Sequence, residues 1–293
     1  PLPLPFFEKR QIIYGKKSKI VKIYKHNKNI ENKEELEEAI EKQIKNTTKD
    51  TTNNMIRKII GMSRVAVIIL NWNGEKLLKE FLPSVVRNTD SRLGRVVVVD
   101  NASEDASVEI MEREFPQVEL IRFDTNYGFA GGYNEAIKLV KEDIVVLLNS
   151  DVEVTEGWLE PMVATLDRLP GIAAVQPKIK SYRDKTLFEY AGACGGFIDR
   201  LGFPFCRGRI LNVLETDYGQ YDDEVEVFWC SGAALCIRKE VYLAVGGLDE
   251  RFFAHMEEID MCWRMRNLGW KLMVCPQAVV YHLGGGSLPM NHP

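Results

Sequence analysis

From residue 64 onward the 293-residue chain alternates short β-branched runs with segments of helical spacing. Residues 65–70 (VAVIIL) form a continuous apolar run, as in a strand buried on both faces. Residues 75–88 then place Leu77, Leu78, Phe81, Leu82 and Val85 on one helical face. Residues 95–99 predict a second buried strand, and 103–115 a helix with Val108, Ile110 and Met111 apolar. A third strand is predicted at 118–123, a helix at 131–141 and a fourth strand at 144–148. Alternation at this interval predicts an α/β fold, a doubly wound and mainly parallel sheet. Such sheets collect ligands at the carboxyl ends of their strands.

Residues 1–62 break the pattern. They hold 14 basic and 8 acidic side chains, net +6, whereas residues 63–293 are net −10, which predicts two regions rather than one homogeneous domain. Within the first region Leu36, Ile40 and Ile44 share one helical face between polar stretches. It reads as a basic, poorly ordered extension with one amphipathic helix, too little to bury a core. Its charge suits an anionic membrane surface or a partner. The 63–293 region is long enough for one large core. No apolar run approaches the ~20 residues of a membrane span, and no signal peptide is visible. Six cysteines without a CxxC pair read as reduced thiols packed as small apolar residues, which argues against zinc. The acidic balance argues against nucleic acid as a partner.

Polar clusters stand where a parallel sheet would hold a ligand. Asn71-Trp72-Asn73-Gly74 follows the first strand, Asp100-Asn101-Ala102-Ser103 the second and Asn149-Ser150-Asp151 the fourth. Each also has a local reading: Asn73-Gly74 as a turn, Ser103 as a helix N-cap, Asp151 as a surface loop acid. Asp100 ends a run of four valines, where a turn needs no acid and a ring N–H or sugar hydroxyl can be bound. Asp151, flanked by Asn149 and Glu153, has the hard oxygen chemistry that suits Mg²⁺ or Mn²⁺ carrying a diphosphate. Farther on, Glu257, Glu258 and Asp260 crowd three carboxylates into four residues. Their repulsion raises the proton affinity of at least one, a candidate base, although an acidic helix N-terminus reads the same way. Asp260 and Arg264 have the spacing of a helical ion pair. His282 follows an apolar strand and precedes Gly284, Gly285 and Gly286, whose backbone N–H groups can approach phosphate.

In this order, residues 65–74 (VAVIILNWNG), 96–103 (VVVVDNAS), 125–134 (TNYGFAGGYN) and 147–153 (LLNSDVE) resemble the nucleotide-sugar half of family 2 glycosyltransferases with the GT-A fold. Rhamnosyltransferase-like members that build bacterial polysaccharides are among the similar sequences, and the likeness runs from residue 63 to the end. It implies that Asp100 binds the donor base, and that Asn71, Trp72, Asn73, Asn126, Gly128, Asn134 and Asn149 line the donor pocket. Asp151 would be the metal-binding acid, with His282 as a second ligand or a diphosphate contact. The family's usual triplet is Asp-x-Asp or Asn-Pro-Asp; here it is Asn149-Ser150-Asp151, with one carboxylate. Glu258 stands at the position of the catalytic base, where most relatives carry Asp, and Glu257 is the second candidate. Trp229, Gly232 and Asp260 would lie on the acceptor side. Trp229, Phe252, Phe253 and Trp263 read either as sugar-stacking rings or, more ordinarily for aromatics at this density, as core.

The resemblance therefore implies an inverting, divalent-metal-dependent (Mg²⁺ or Mn²⁺) glycosyltransferase. Its donor would be a nucleotide-diphosphate sugar and its acceptor a saccharide or lipid-linked glycan hydroxyl. It implies a cytoplasmic protein at the inner face of the plasma membrane, with peripheral membrane association, and a chain that continues past residue 293. The alternative is a non-catalytic sugar-nucleotide binding or scaffold subunit, suggested by the reduced acid count of the triplet. A nucleotidyltransferase would want a glycine-rich loop with a following Arg or Lys after the first strand, which residues 71–74 do not offer.

Overall fold

The computed structural model describes residues 64–252 and 255–284. The expected extension over residues 1–62, Phe253 and the glycines after Gly284 lie outside the described residues. Four strands form the parallel half: β1 (Val65–Asn71), β2 (Gly94–Asp100), β3 (Glu119–Arg122) and β4 (Ile144–Leu148). They stand in the order β4-β1-β2-β3, each parallel to its neighbour. Between and after them lie α1 (Glu75–Asn88), α2 (Ser107–Glu114), α3 (Gly128–Leu139), β5 (Val152–Val154), α4 (Glu160–Arg168) and β6 (Ile172–Ser181).

Period-two alternation decides the layers, because successive strand side chains point to opposite faces. Val65, Val67 and Ile69 pack with Leu78, Leu82, Ile110, Met111 and Met162, which places α1, α2 and α4 on one face. Ala66, Ile68, Val97 and Val99 pack on the other face with Tyr133, Ala136 and Ile137 of α3. Burial of each Val, Leu or Ile contributes about 1.5–3 kcal/mol, so strands covered on both faces carry a dense share of the stability.

The second half of the sheet departs from the simple doubly wound pattern. It contains β11 (Val225–Val227), β12 (Ala234–Arg238) and β13 (Lys271–His282). β12 runs antiparallel between β4 and β6, and β13 is parallel to β6, giving the order β11-β13-β6-β12-β4-β1-β2-β3, with β5 pairing β13. Its helices are α5 (Lys239–Ala244) and α6 (Glu257–Asn267). Two small ribbons, β7 (Gly196–Ile198) with β8 (Pro204–Cys206) and β9 (Arg209–Ile210) with β10 (Val213–Leu214), stand outside the sheet. Buried Lys178 fixes the excursion that carries them, pairing with Asp217 at 3.1 Å and with Asp222. All six cysteines are free and buried. Burial pushes the Cys194 thiol up to about 11 and those of Cys236 and Cys262 up to about 12, so none of these three is a thiolate nucleophile at neutral pH.

Candidate active site

Strand direction brings the polar clusters to one edge. Because β13, β6, β4, β1 and β2 run the same way, His282, Asn71, Asp100 and the turn after Leu148 all stand at the carboxyl edge of the sheet. The antiparallel β12 starts there, with Ala234 opposite Leu148, and Asn149 N–H donates to the Ala233 carbonyl at 3.0 Å.

At the β1 and β2 ends, side chains hold one another. Asn71, 1% exposed, donates through Nδ2 to Asp100 Oδ1 (3.1 Å) and Ser103 Oγ (3.2 Å). Ser103 N–H donates to Asp100 Oδ2 at 3.0 Å, and Ser103 Oγ accepts from the backbone N–H of Asn73. Ser103 is therefore part of this network rather than a helix cap, and α2 begins only at Ser107, where Asp105 accepts the Ser107 N–H. Asn73 and Ala102 both take positive φ, a conformation that costs L residues energy and that rigid functional loops retain. Asn71 Oδ1 is enclosed with no protein hydrogen-bond partner, an acceptor waiting for a donor. Buried Asn101 carries the network onward, donating to Asn126 Oδ1 (2.9 Å) and the Gly128 carbonyl (3.0 Å). Asn126 Oδ1 also accepts from Gly128 N–H, so α3 starts at Gly128, three residues before the expected start. Gly132 is required by close approach: a Cβ there would stand 2.7 Å from Leu70.

After β4, Asp151 is 1% exposed, not a surface acid. Its carbonyl accepts from Leu283 N–H at 3.1 Å, which ties the end of β13 to it. His282 lies between two carboxylates, with Nε2 3.2 Å from Asp151 Oδ1 and Nδ1 3.3 Å from Glu189 Oε1. Burial disfavours the imidazolium, but the two carboxylates outweigh it and push His282 up to about 10. Asn149 Oδ1 is enclosed without a protein partner. Among the described residues no set of three or more His, Cys, Asp or Glu side chains forms a closed metal cage. A convergent carboxylate and imidazole beside an orphaned amide oxygen nevertheless fit an Mg²⁺- or Mn²⁺-type ion. Such ions take one or two carboxylates and leave other positions to water and substrate phosphate.

The third group sits at the start of α6. Glu257 is buried, and part of Glu258 is open, yet Oε2 of each is enclosed with no hydrogen-bond partner. Burial first, and the like charge of Glu257 second, push Glu258 up to about 7; burial also raises Glu257. A carboxylate with that proton affinity is matched to general-base work near neutrality. His255 and Met256, directly before the helix, both have positive φ. Gly232 packs against Glu258: a Cβ on it would lie 3.7 Å from Glu258 Cβ. The turn before β12 thus joins Glu258 to the edge where Asn149 and Asp151 stand.

Other sequence-derived candidates occupy different roles. Trp229 is buried, donates Nε1–H to the Phe197 carbonyl at 2.9 Å and lies on Gly196, where a Cβ would collide with the indole. It is core, not a sugar platform. Asn134 spends its whole amide on the loop before α6: Oδ1 accepts from Tyr242 OH and Leu248 N–H, and Nδ2 donates to the Leu248 carbonyl and Glu250. It braces the site and has no hydrogen left for a donor sugar. Asp260 forms the expected pair with Arg264 at 2.7 Å, and Arg264 reaches on to the Val245 and Gly247 carbonyls. Trp72 and Trp263 are 56% and 45% exposed, so both keep ring surface open.

Two residues escaped the sequence reading. Glu189 comes from an irregular segment with no local signal. Gln176 did carry one, a polar residue within the apolar run of β6. It is fully buried, accepts from Ser231 N–H at 2.9 Å and donates to the Gly192 carbonyl at 3.0 Å, which fixes the turn that carries Gly232.

Comparison with known proteins bears on the family and the fold. The sequence model of "Glycosyl transferase family 2" matches residues 66–240, more than half of the chain. The N-acetylglucosaminyl-diphospho-decaprenol L-rhamnosyltransferase of Mycobacterium tuberculosis is 28% identical over 232 residues, covering 74% of this chain and 75% of that protein. Rhamnosyltransferase WbbL of Escherichia coli is 25% identical, covering 74% and 83%. Among solved structures, GalNAc-T7 with UDP, GalNAc and Mn²⁺ superposes with TM-score 0.59 at 17% identity over 75% of this chain and 44% of that one. The mannosyltransferase PcManGT from Pyrobaculum calidifontis, with GDP-Man and Mn²⁺, gives 0.54 at 18% over 75% and 56%. The chain thus spans about half the length of these two structures, and the likeness shows the fold. With the sheet order, the strand-end polar clusters and the family match in agreement, the chain belongs to glycosyltransferase family 2 and is a glycosyltransferase of the GT-A fold.

Proposed function

We propose that the protein is an inverting, divalent-metal-dependent glycosyltransferase. It moves a sugar from a nucleotide-diphosphate sugar to a hydroxyl of a saccharide or lipid-linked glycan. The observation that carries this reading is the placement at one sheet edge of a convergent Asp151–His282 pair and a carboxylate of neutral-range proton affinity, Glu258, joined through the Asn149–Ala233 and Gly232–Glu258 contacts.

On this reading Asp100 and the unpartnered Asn71 Oδ1 accept N–H or O–H groups of the donor base and ribose, while the Asn101–Asn126–Gly128 network holds the start of α3 beside them. Asp151 and His282, with Asn149 Oδ1 available, would hold Mg²⁺ or Mn²⁺. When bound, that cation supplies charge neutralisation of the leaving nucleoside diphosphate. The two solved structures described above carry Mn²⁺. Glu258 Oε2 takes the proton of the acceptor hydroxyl as its oxygen bonds to the anomeric carbon. The carbon–oxygen bond to the diphosphate breaks on the opposite face, which inverts configuration. The negative charge of Glu257 lends its field to Glu258 and helps hold that carboxyl up. The mycobacterial relative is named for an L-rhamnosyl transfer onto a diphospho-decaprenol glycan, and a rhamnosyl donor with a lipid-diphosphate acceptor is the first pair to test.

The test is a panel of UDP-, GDP- and dTDP-sugars with Mn²⁺, read by donor stabilisation and by product formation. Donor stabilisation and turnover are expected in the parent, loss of both in Asp151→Asn, and loss of turnover alone in Glu258→Gln. Full turnover by Glu258→Gln would transfer the base role to Glu257. Donor binding without turnover in the parent would favour the scaffold reading.

A further inference from the structure

The ribbons β7–β8 and β9–β10 carry a feature that the reaction does not use. Leu201, Phe203, Phe205, Ile210, Leu211 and Val213 are 72%, 67%, 49%, 68%, 85% and 69% exposed, six large apolar side chains within thirteen residues. Single exposed apolar residues are ordinary, whereas a cluster of this density marks a surface that meets something apolar. Instability of the ribbons does not explain it, because their base is built. Phe197 stacks on Phe205 at 5.6 Å, Cys206 is buried, Trp229 bonds the Phe197 carbonyl, and Arg207 bonds the Cys194 carbonyl and Asp223. A two-stranded ribbon is marginal alone; here the core holds the inner side and the outer side is left apolar.

Charge identifies the partner. Residues 196–214 contain three arginines and one aspartate with no lysine or glutamate, net +2, in a unit that is net −10. Arg207 is tied inward, but Arg200 is exposed at the β7–β8 turn, and the Arg209 guanidinium lies 3.9 Å over the ring of half-exposed Tyr190. Apolar tips ringed by arginine match the boundary of an anionic bilayer, where side chains enter the acyl region and guanidinium groups remain at the headgroups. A second copy of this acidic unit is a poorer match, since the two bodies repel.

We infer that the two ribbons form a docking face for an anionic lipid bilayer. The face borders the site. Tyr190 lines a groove of about 340 Å³ with Phe205, Arg209 and Leu211, and it follows Glu189, whose carboxylate contacts His282. Resting on the functional reading above, this placement brings the reaction edge next to an acceptor carried in the membrane.

The experiment uses the full chain with vesicles of phosphatidylcholine alone or with 30% phosphatidylglycerol. Sedimentation and hydrogen exchange at residues 196–214 are the readouts; the latter separates this face from binding by the basic residues 1–62. Phosphatidylglycerol vesicles are expected to slow exchange in the ribbons at least tenfold. A Phe203→Ser/Leu211→Ser variant and an Arg200→Glu/Arg209→Glu variant should lose that protection, with an unchanged melting temperature and unchanged turnover on a water-soluble acceptor. Unaltered exchange in the parent, or equal protection in the variants, overturns the inference. So does a concentration-dependent dimer that protects the same residues without lipid. If lipid protects the ribbons in the parent alone while no donor supports transfer, the docking face stands and the enzymatic reading falls.

Discussion

At the residue scale the sharpest consequence belongs to Glu258. Its carboxyl sits at about 7 in the folded chain, above the ordinary glutamate value near 4.5 that the unfolded chain restores. A raised carboxyl contributes its full share of stability below the unfolded value and loses it as pH rises through 7, because the buried group must then ionise. Glu258→Gln cannot ionise. The variant should match the parent near pH 4.5 and exceed it above pH 7 by on the order of 1–3 kcal/mol, measured by urea unfolding across pH. Turnover should move the other way: kcat/KM of the parent rises through about pH 7, and the variant loses at least 100-fold. A second expectation concerns Glu189. Carboxylates behind a ligating histidine typically change metal affinity 10–100-fold, so Glu189→Ala should weaken Mn²⁺ binding, followed by electron paramagnetic resonance, within that range, and Glu189→Gln should weaken it less. The enclosed placement of Asp100, Asp151 and Glu258 was legible because each interrupts a recognisable pattern: a valine run, an apolar strand, the start of a helix. Glu189 was not, since its meaning comes from His282, 93 positions away in sequence.

At the element scale each strand and helix of the parallel half was legible, the starts of α2 and α3 less so. Residues 75–88 and 144–148 coincide with α1 and β4, because buried strands and amphipathic helices write their periods directly into the chain. The misplaced boundaries share a cause: Ser103 and Asn126 spend their side chains on the site, and helices begin where those bonds allow. The antiparallel insertion of β12 was not legible, since register and direction are settled by partners far along the chain. Asn134 gives this linkage a measurable value. It joins α3 to the loop before α6 and satisfies Tyr242 OH and Leu248 N–H. Asn134→Ala would leave Tyr242 OH without that acceptor and Leu248 N–H with only its longer bond to the Tyr242 hydroxyl at 3.4 Å, at about 1–3 kcal/mol for a buried polar group. A lower urea midpoint with unchanged slope is expected. Because the same loop leads to His255, Met256 and Glu258, turnover should fall more than donor affinity.

At the scale of the whole molecule, the net charge of −10 over residues 63–293 has to be reconciled with a donor that carries a diphosphate. Two like-charged bodies repel over about 10 Å at 0.1 M salt, and the edge where the diphosphate would lie already contains Asp100, Asp151, Glu189, Glu257 and the partly ionised Glu258, offset there by the His282 imidazolium between Asp151 and Glu189. On the proposed function, a divalent cation held by Asp151 would offset this negative charge, so donor and metal should bind with strong mutual dependence. At a donor concentration 100 times its Kd with Mn²⁺ present, linkage gives about 2.7 kcal/mol. For a unit of this size that corresponds to a rise in Tm of about 5–10 °C. With a chelator the same donor should give little shift, and that residual shift should grow as NaCl is raised from 0.05 to 0.5 M, because salt then screens a net repulsion. A residual shift that shrinks with salt would show that the cleft attracts phosphate through its own cations, and the assignment of charge neutralisation to Asp151 and its metal would fail.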